Sequence, residues 1–76
     1  MRGVYKLKLI ANNYEANDIM RIIREWTTLK QGEFGETINK SRRSVQDYEA
    51  GITNYSMKML LEIAKKHGVT ISLEKR

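Results

Sequence analysis

The chain has no cysteine, no proline and a single histidine, His67. Without cysteine there are no disulfides, no thiolate metal site and no thiol nucleophile. One histidine excludes a histidine-rich metal cluster. No uninterrupted apolar run exceeds three residues, Met59, Leu60 and Leu61 being one of them, and a membrane span needs about 20. The opening Met-Arg-Gly-Val-Tyr-Lys-Leu-Lys lacks the apolar core of a signal peptide. These absences lead to the expectation of a cytoplasmic protein. No nucleophile is paired with a base and no glycine-rich phosphate loop is visible, so neither an enzyme nor a cofactor is expected.

What is present is 76 residues, 41% hydrophobic and 30% charged. That composition belongs to a folded domain rather than a disordered chain. One small domain over residues 1–76 is expected, with a core that has little to spare. Lys and Arg total 14 against 9 for Asp and Glu, a formal net charge of +5. Such a balance points to a polyanion, nucleic acid or an acidic membrane surface. The membrane is disfavoured, because the apolar stripes are needed for the core and the basic residues do not gather on one amphipathic helix. The charge is unevenly spread: residues 1–30 carry +3, residues 31–55 carry −1 and residues 56–76 carry +3.

Periodicity divides the chain. Tyr5, Leu7 and Leu9 alternate with Lys6 and Lys8, which predicts a short strand over about residues 4–10. Asn12 or Asn13 is then placed to cap a helix. Over residues 15–28, Ile19, Ile22, Ile23 and Trp26 share one helical face, with Arg21, Arg24 and Glu25 facing elsewhere. Residues 31–38 form a two-turn helix with Phe34 and Ile38 inward. Asn39, which tolerates left-handed backbone, ends it. Ser41 caps the next helix, Val45 and Tyr48 face inward, and Gly51 stops it. Ser56 begins the last helix, whose apolar stripe is Met57, Leu60, Leu61 and Ala64 joined by Ile63, and Gly68 terminates it. Val69, Ile71 and Leu73 then alternate with polar residues, a second short strand over about 69–74. Two strands this short need a partner, either each other or a copy in a second subunit.

The pair of short helices joined at Asn39 carries the most information. Steeply crossing helices need a tiny side chain where they touch, and Gly35 supplies it; the tight turn needs a residue that accepts positive φ, and Asn39 does. Residues 29–69 resemble, without a gap, the helix-turn-helix domain of phage repressors, Cro-like proteins and bacterial xenobiotic-response-element regulators. Leu29, Gln31, Glu33, Glu36, Ser41, Arg42, Glu49, Gly51, Asn54 and Ser56 carry the resemblance, followed by Leu60, Leu61, Ile63, Ala64, Lys65, Gly68 and Val69. Several positions depart from the family pattern. Lys40 and His67 stand where apolar residues are usual, Ala50 replaces an Asn, Ile52 and Thr53 replace basic residues, and Tyr55 replaces a Pro.

The resemblance implies a mainly α, four-helix lambda-repressor-like domain, here with short N- and C-terminal β-strands. It implies a DNA-binding transcription regulator, a repressor acting as a homodimer on double-stranded DNA, cytoplasmic and nucleoid-associated. A recognition helix over about 42–50 would lie in the major groove. Its exposed face would carry Arg42, Arg43, Gln46 and Asp47, with Ser44 at the edge. Arg pairs with guanine O6 and N7, Gln with adenine, and a carboxylate accepts from cytosine N4. Asp47 has a second possible role, an ion pair with Arg43 four residues away; the two arginines, for their part, have the plainer reading of solvated helix residues. Gln31 would contact a phosphate and brace the recognition helix, with Lys30, Lys40, Thr53 and Asn54 as further backbone contacts. The alternative function is an antitoxin that binds a toxin through the spare strand at about 4–10.

Overall fold

In a computed structural model of the chain, residues 10–75 are described. The order is a 3-10 turn at Ala11–Asn13, α1 (Ala16–Thr27), α2 (Gln31–Thr37), α3 (Arg42–Ala50) and α4 (Met57–Lys66). The four expected helices are therefore present, and their ends follow the chemistry of the residues that stop them. Ser41 Oγ accepts the Ser44 amide at 3.0 Å and Ser56 Oγ accepts the Met59 amide at 3.0 Å, each satisfying an amide that the first helical turn leaves unpaired. Asn39 takes φ 57°. The Lys40 amide then reaches back to the Gly35 carbonyl at 2.8 Å, which closes α2 as a Schellman turn. Gly68, at φ 72°, closes α4 in the same way through Val69 and the Ala64 carbonyl, 2.8 Å apart.

The start of α1 differs from expectation. Neither Asn12 nor Asn13 caps it; they lie in the 3-10 turn, and Glu15 occupies the N-cap position without a side-chain bond. At its other end Thr28 adopts φ 65°, a left-handed conformation unfavourable for a β-branched residue. The Thr28 amide bonds the Glu25 carbonyl at 3.1 Å, so the threonine serves where glycine is commoner.

The core joins all four helices: Met20 and Ile23 from α1, Phe34 from α2, Val45 and Tyr48 from α3, Leu60 and Ile63 from α4. Met20, Phe34 and Val45 are fully enclosed. The buried side of α1 is turned from the expected stripe. Met20, outside that stripe, is in the centre, whereas Ile22 and Trp26 are only half-buried. In α4, Met57 and Leu61 of the expected stripe are 65% and 47% exposed, and Met59 packs on the core instead.

The β-strand expected over 69–74 is not there. Residues 69–75 are irregular; Val69 packs on the core but Leu73 is 97% exposed. A strand exists only where a neighbour accepts its hydrogen bonds, and none of the described residues offers one. The other expected strand, about 4–10, lies outside the described residues except for Ile10.

His67 closes the core edge between α2 and α4. Its ring stacks on Phe34 with centroids 5.1 Å apart, and Nε2 lies 2.9 Å from Thr37 Oγ1. The Thr37 hydroxyl spends its proton on the Phe34 carbonyl at 2.6 Å, so His67 Nε2–H is the donor to Thr37. Desolvation, followed by the nearby Lys66 charge, pulls the imidazole below its ordinary pKa of 6.5. The unfolded chain thus binds this proton more readily than the folded one. Stability from the neutral ring is complete above the unfolded pKa and is lost as pH falls through the folded value. The thermal midpoint should accordingly drop between about pH 7.5 and about pH 5.5, and His67→Leu should remove part of that drop. An identical drop in both proteins would assign the pH dependence to other groups.

Candidate nucleic-acid interface

Gly35 lets the turn between α2 and α3 close over α2. A Cβ at this position would fall inside the van der Waals shell of the Lys40 carbonyl oxygen and 3.3 Å from the Ser41 carbonyl oxygen. Only a residue without a side chain lets the turn fold this closely over the helix before it. The close approach is thus to the backbone of the turn, while Val45 fills the interior of α3 beyond it.

A half-buried polar cluster centred on Glu49 then holds α3 in place. Arg24 of α1 donates from Nε to Glu49 Oε2 at 2.6 Å and from Nη2 to Oε1 at 3.1 Å. Its remaining Nη1 donates to the Leu29 carbonyl at 3.1 Å. Gln31, the first residue of α2, donates from Nε2 to Glu49 Oε1 at 3.1 Å. Asn17 Nδ2 donates to the Glu49 carbonyl at 3.2 Å. The Glu49 and Arg24 side chains are 6% and 17% exposed. Hydrogen bonding to the carboxylate raises the guanidinium pKa above its ordinary value, against the opposing cost of burial. Arg24 was expected off the apolar face of α1, and there it bonds Glu49. Twenty-five positions separate the two, so no local periodicity links them.

The opposite end of α3 is open. Arg42 and Arg43, in its first turn, are exposed, whereas Ser44, Gln46 and Asp47 are half-buried. Arg43 Nε lies 3.3 Å from Asp47 Oδ1, so the expected ion pair is formed. The two arginines leave the helix on different sides. Arg42 lies along the start of α2, with its Cβ 3.8 Å from the position a Cβ would take on Gly32. It lines an open cleft of about 600 Å³ with Arg24, Lys30, Gln31, Gly32 and Glu33. Arg24 in this cleft is neutralised by Glu49, which leaves Lys30 and Arg42 as its cations and Glu33 as its acid. The Glu33 carboxylate accepts the Lys30 amide at 2.9 Å and so caps α2.

The residues expected at the DNA backbone are not all brought together. Lys30 and Gln31 share the cleft with Arg42. Lys40 is exposed in the turn after α2 and lines a separate groove with Asn39, Met59, Glu62 and Lys66. Thr53 and Asn54 are exposed in the loop beyond the far end of α3, where the Thr53 amide bonds the Asp47 carbonyl at 3.2 Å. Gln31 braces α3 through Glu49 as expected, and its amide keeps a second N–H and its carbonyl oxygen for other partners.

Among the described residues, no helix is long and apolar enough to cross a membrane. No curated protein and no solved structure matches the chain. A family model described as helix-turn-helix does match, over residues 20–73, which is more than half of the sequence. That span runs from Met20 in the core through both arginines to the tail after α4, and so includes Arg24, Gln31 and Glu49, which position α3. The chain belongs to the helix-turn-helix family of the Cro and C1 type, a family of DNA-binding regulators.

Proposed function

We propose that the protein is a sequence-specific regulator that lays α3 in the major groove of double-stranded DNA and represses by occupying its site. The observation that carries this reading is the asymmetry of α3. Its C-terminal half is tied to α1 and α2 through Glu49, and its first turn presents Arg42 and Arg43 to solvent. A helix held at one end and offering long cationic side chains at the other meets the needs of a groove reader. The cleft lined by Lys30, Gln31 and Arg42 suits a phosphate, and contacts of this kind fix register on the duplex. Lys40, Thr53 and Asn54 extend the backbone contacts on either flank.

A single short helix reads only a few base pairs, so the protein is proposed to act as a homodimer on a pseudo-palindromic operator. The net charges of +3 on residues 1–30 and on residues 56–76 supply long-range attraction to DNA. The alternative antitoxin role assigns its partner-binding strand to about residues 4–10, outside the described residues, whereas the DNA reading rests on α3.

Selection from a random duplex pool tests the proposal. The expected result is an enriched motif with twofold symmetry. Its affinity should fall on the order of a hundredfold or more between about 50 and about 200 mM salt, as phosphate-bound counterions are released. Failure to enrich any sequence would overturn the reading, and an asymmetric motif would overturn the dimer.

A further inference from the structure

The charges of α3 are arranged against helix stability. Its first turn holds two cations, Arg42 and Arg43, and no acid, although the positive end of the helix dipole favours carboxylates there. The ion pair runs from Arg43 to Asp47, with the cation N-terminal, the weaker of the two orientations at this spacing. Arg43 is also 81% exposed, where ion pairs contribute little to folding. The pair therefore has little value as a structural device, and departures from local rules of this kind concentrate at functional sites.

The geometry gives it another use. Asp47 is well fixed. Its side chain is 24% exposed, and its carbonyl accepts the Ile52 and Thr53 amides at 2.9 and 3.2 Å. The carboxylate engages the Nε of Arg43. The outer edge of the guanidinium, Nη1 and Nη2, remains available, and two parallel N–H groups match guanine O6 and N7. A long side chain free in solution loses rotamer entropy when it docks; one already held by a neighbour loses less. Arg42 has no ion-pair partner among the described residues and lies beside the α2 cleft.

From this contrast we infer that Asp47 is a positioning residue, which holds Arg43 for bidentate recognition of one guanine per half-site, while Arg42 serves the backbone. This rests on the DNA-binding reading above. Asp47 itself does not touch a base. Its negative charge lowers affinity for DNA in general while raising the discrimination of Arg43, a division between affinity and specificity.

The experiment is the same duplex selection, followed by titration of each base substitution, with the wild type, Arg43→Ala, Asp47→Ala, Asp47→Glu and the Arg43→Ala/Asp47→Ala double variant. The wild type is expected to prefer guanine at one half-site position by about tenfold or more. Asp47→Ala should lose most of that preference at that same position, while binding random duplex equally or more tightly. Asp47→Glu should restore it in part, and adding Asp47→Ala to Arg43→Ala should change nothing further at that position. Unfolding midpoints should agree closely among the variants. The proposal is overturned if Asp47→Ala leaves the guanine preference intact. It is equally overturned if the base position lost differs from the one lost in Arg43→Ala, because the carboxylate would then be reading a base directly. If the wild type selects no sequence at all, the DNA-binding reading fails and this inference with it.

Discussion

Glu49→Ala should destabilise the fold by about 1.5–3 kcal/mol, the range for hydrogen bonds to a charged group that is largely shielded from water. The change leaves the Arg24 guanidinium, on a side chain 17% exposed in the wild type, without its carboxylate, and removes the acceptor of the Gln31 amide. A domain of this size commonly has only about 5–15 kcal/mol in total, so the loss consumes much of the margin. Thermal unfolding at neutral pH should show a midpoint lower by on the order of 10–20 °C. The Arg24→Met/Glu49→Leu double variant should be less damaged than Glu49→Ala, because no uncompensated charge remains inside. A loss below about 1 kcal/mol in Glu49→Ala would match a solvated surface pair and contradict the enclosure of this cluster. The cluster also orients α3, so surviving folded Glu49→Ala protein should bind DNA more weakly than the wild type.

Replacing both Arg42 and Arg43 by alanine should weaken operator binding by about thirtyfold to twenty-thousandfold, taking about 1–3 kcal/mol for each good arginine contact. The fold should be unaffected. Both side chains are exposed, alanine is the best helix former, and removing cations from the first turn relieves their clash with the helix dipole. The singles should separate the roles. Arg42→Ala should reduce affinity for all duplexes alike and make the salt dependence shallower, whereas Arg43→Ala should relax the preference at one base position. Titration at several salt concentrations, with operator and scrambled duplexes side by side, measures both. An unchanged operator affinity in the double variant, with its thermal midpoint intact, would show that α3 is not the recognition helix.

Local chemistry was readable wherever one residue settles one bond or one dihedral angle. Asn39 and Gly68 take positive φ as their residue types suggest, and Ser41 and Ser56 cap the helices they precede. Gly35 stands at a contact that excludes a side chain. Reading failed where several faces were equally apolar. In α1, Ile19, Met20, Ile22, Ile23 and Trp26 cover a wide arc, and periodicity alone cannot say which part of it turns inward. The structure puts Met20 at the centre, fully enclosed in one core with Phe34 and Val45. In α4 the same ambiguity between neighbouring positions left Met57 and Leu61 exposed and placed Met59 on the core. The alternation after Val69 has the period of a strand, yet period is only half of what a strand requires.

The sequence by itself determined where α2, α3 and α4 start and stop, that α2 and α3 are joined by a turn needing a glycine and an asparagine, and that two arginines open α3. These follow from capping groups, left-handed turns and side-chain period, all properties of residues close together in the chain. Tertiary structure alone decided the rest. It joined Arg24, Gln31 and Glu49, which lie far apart in sequence, into the cluster that fixes α3. It sent Arg42 toward the α2 cleft, and it left the tail without a strand. Each of these depends on which surfaces meet in space. A charge shielded from water needs a partner brought from another helix, and a strand needs a neighbouring edge to accept its hydrogen bonds.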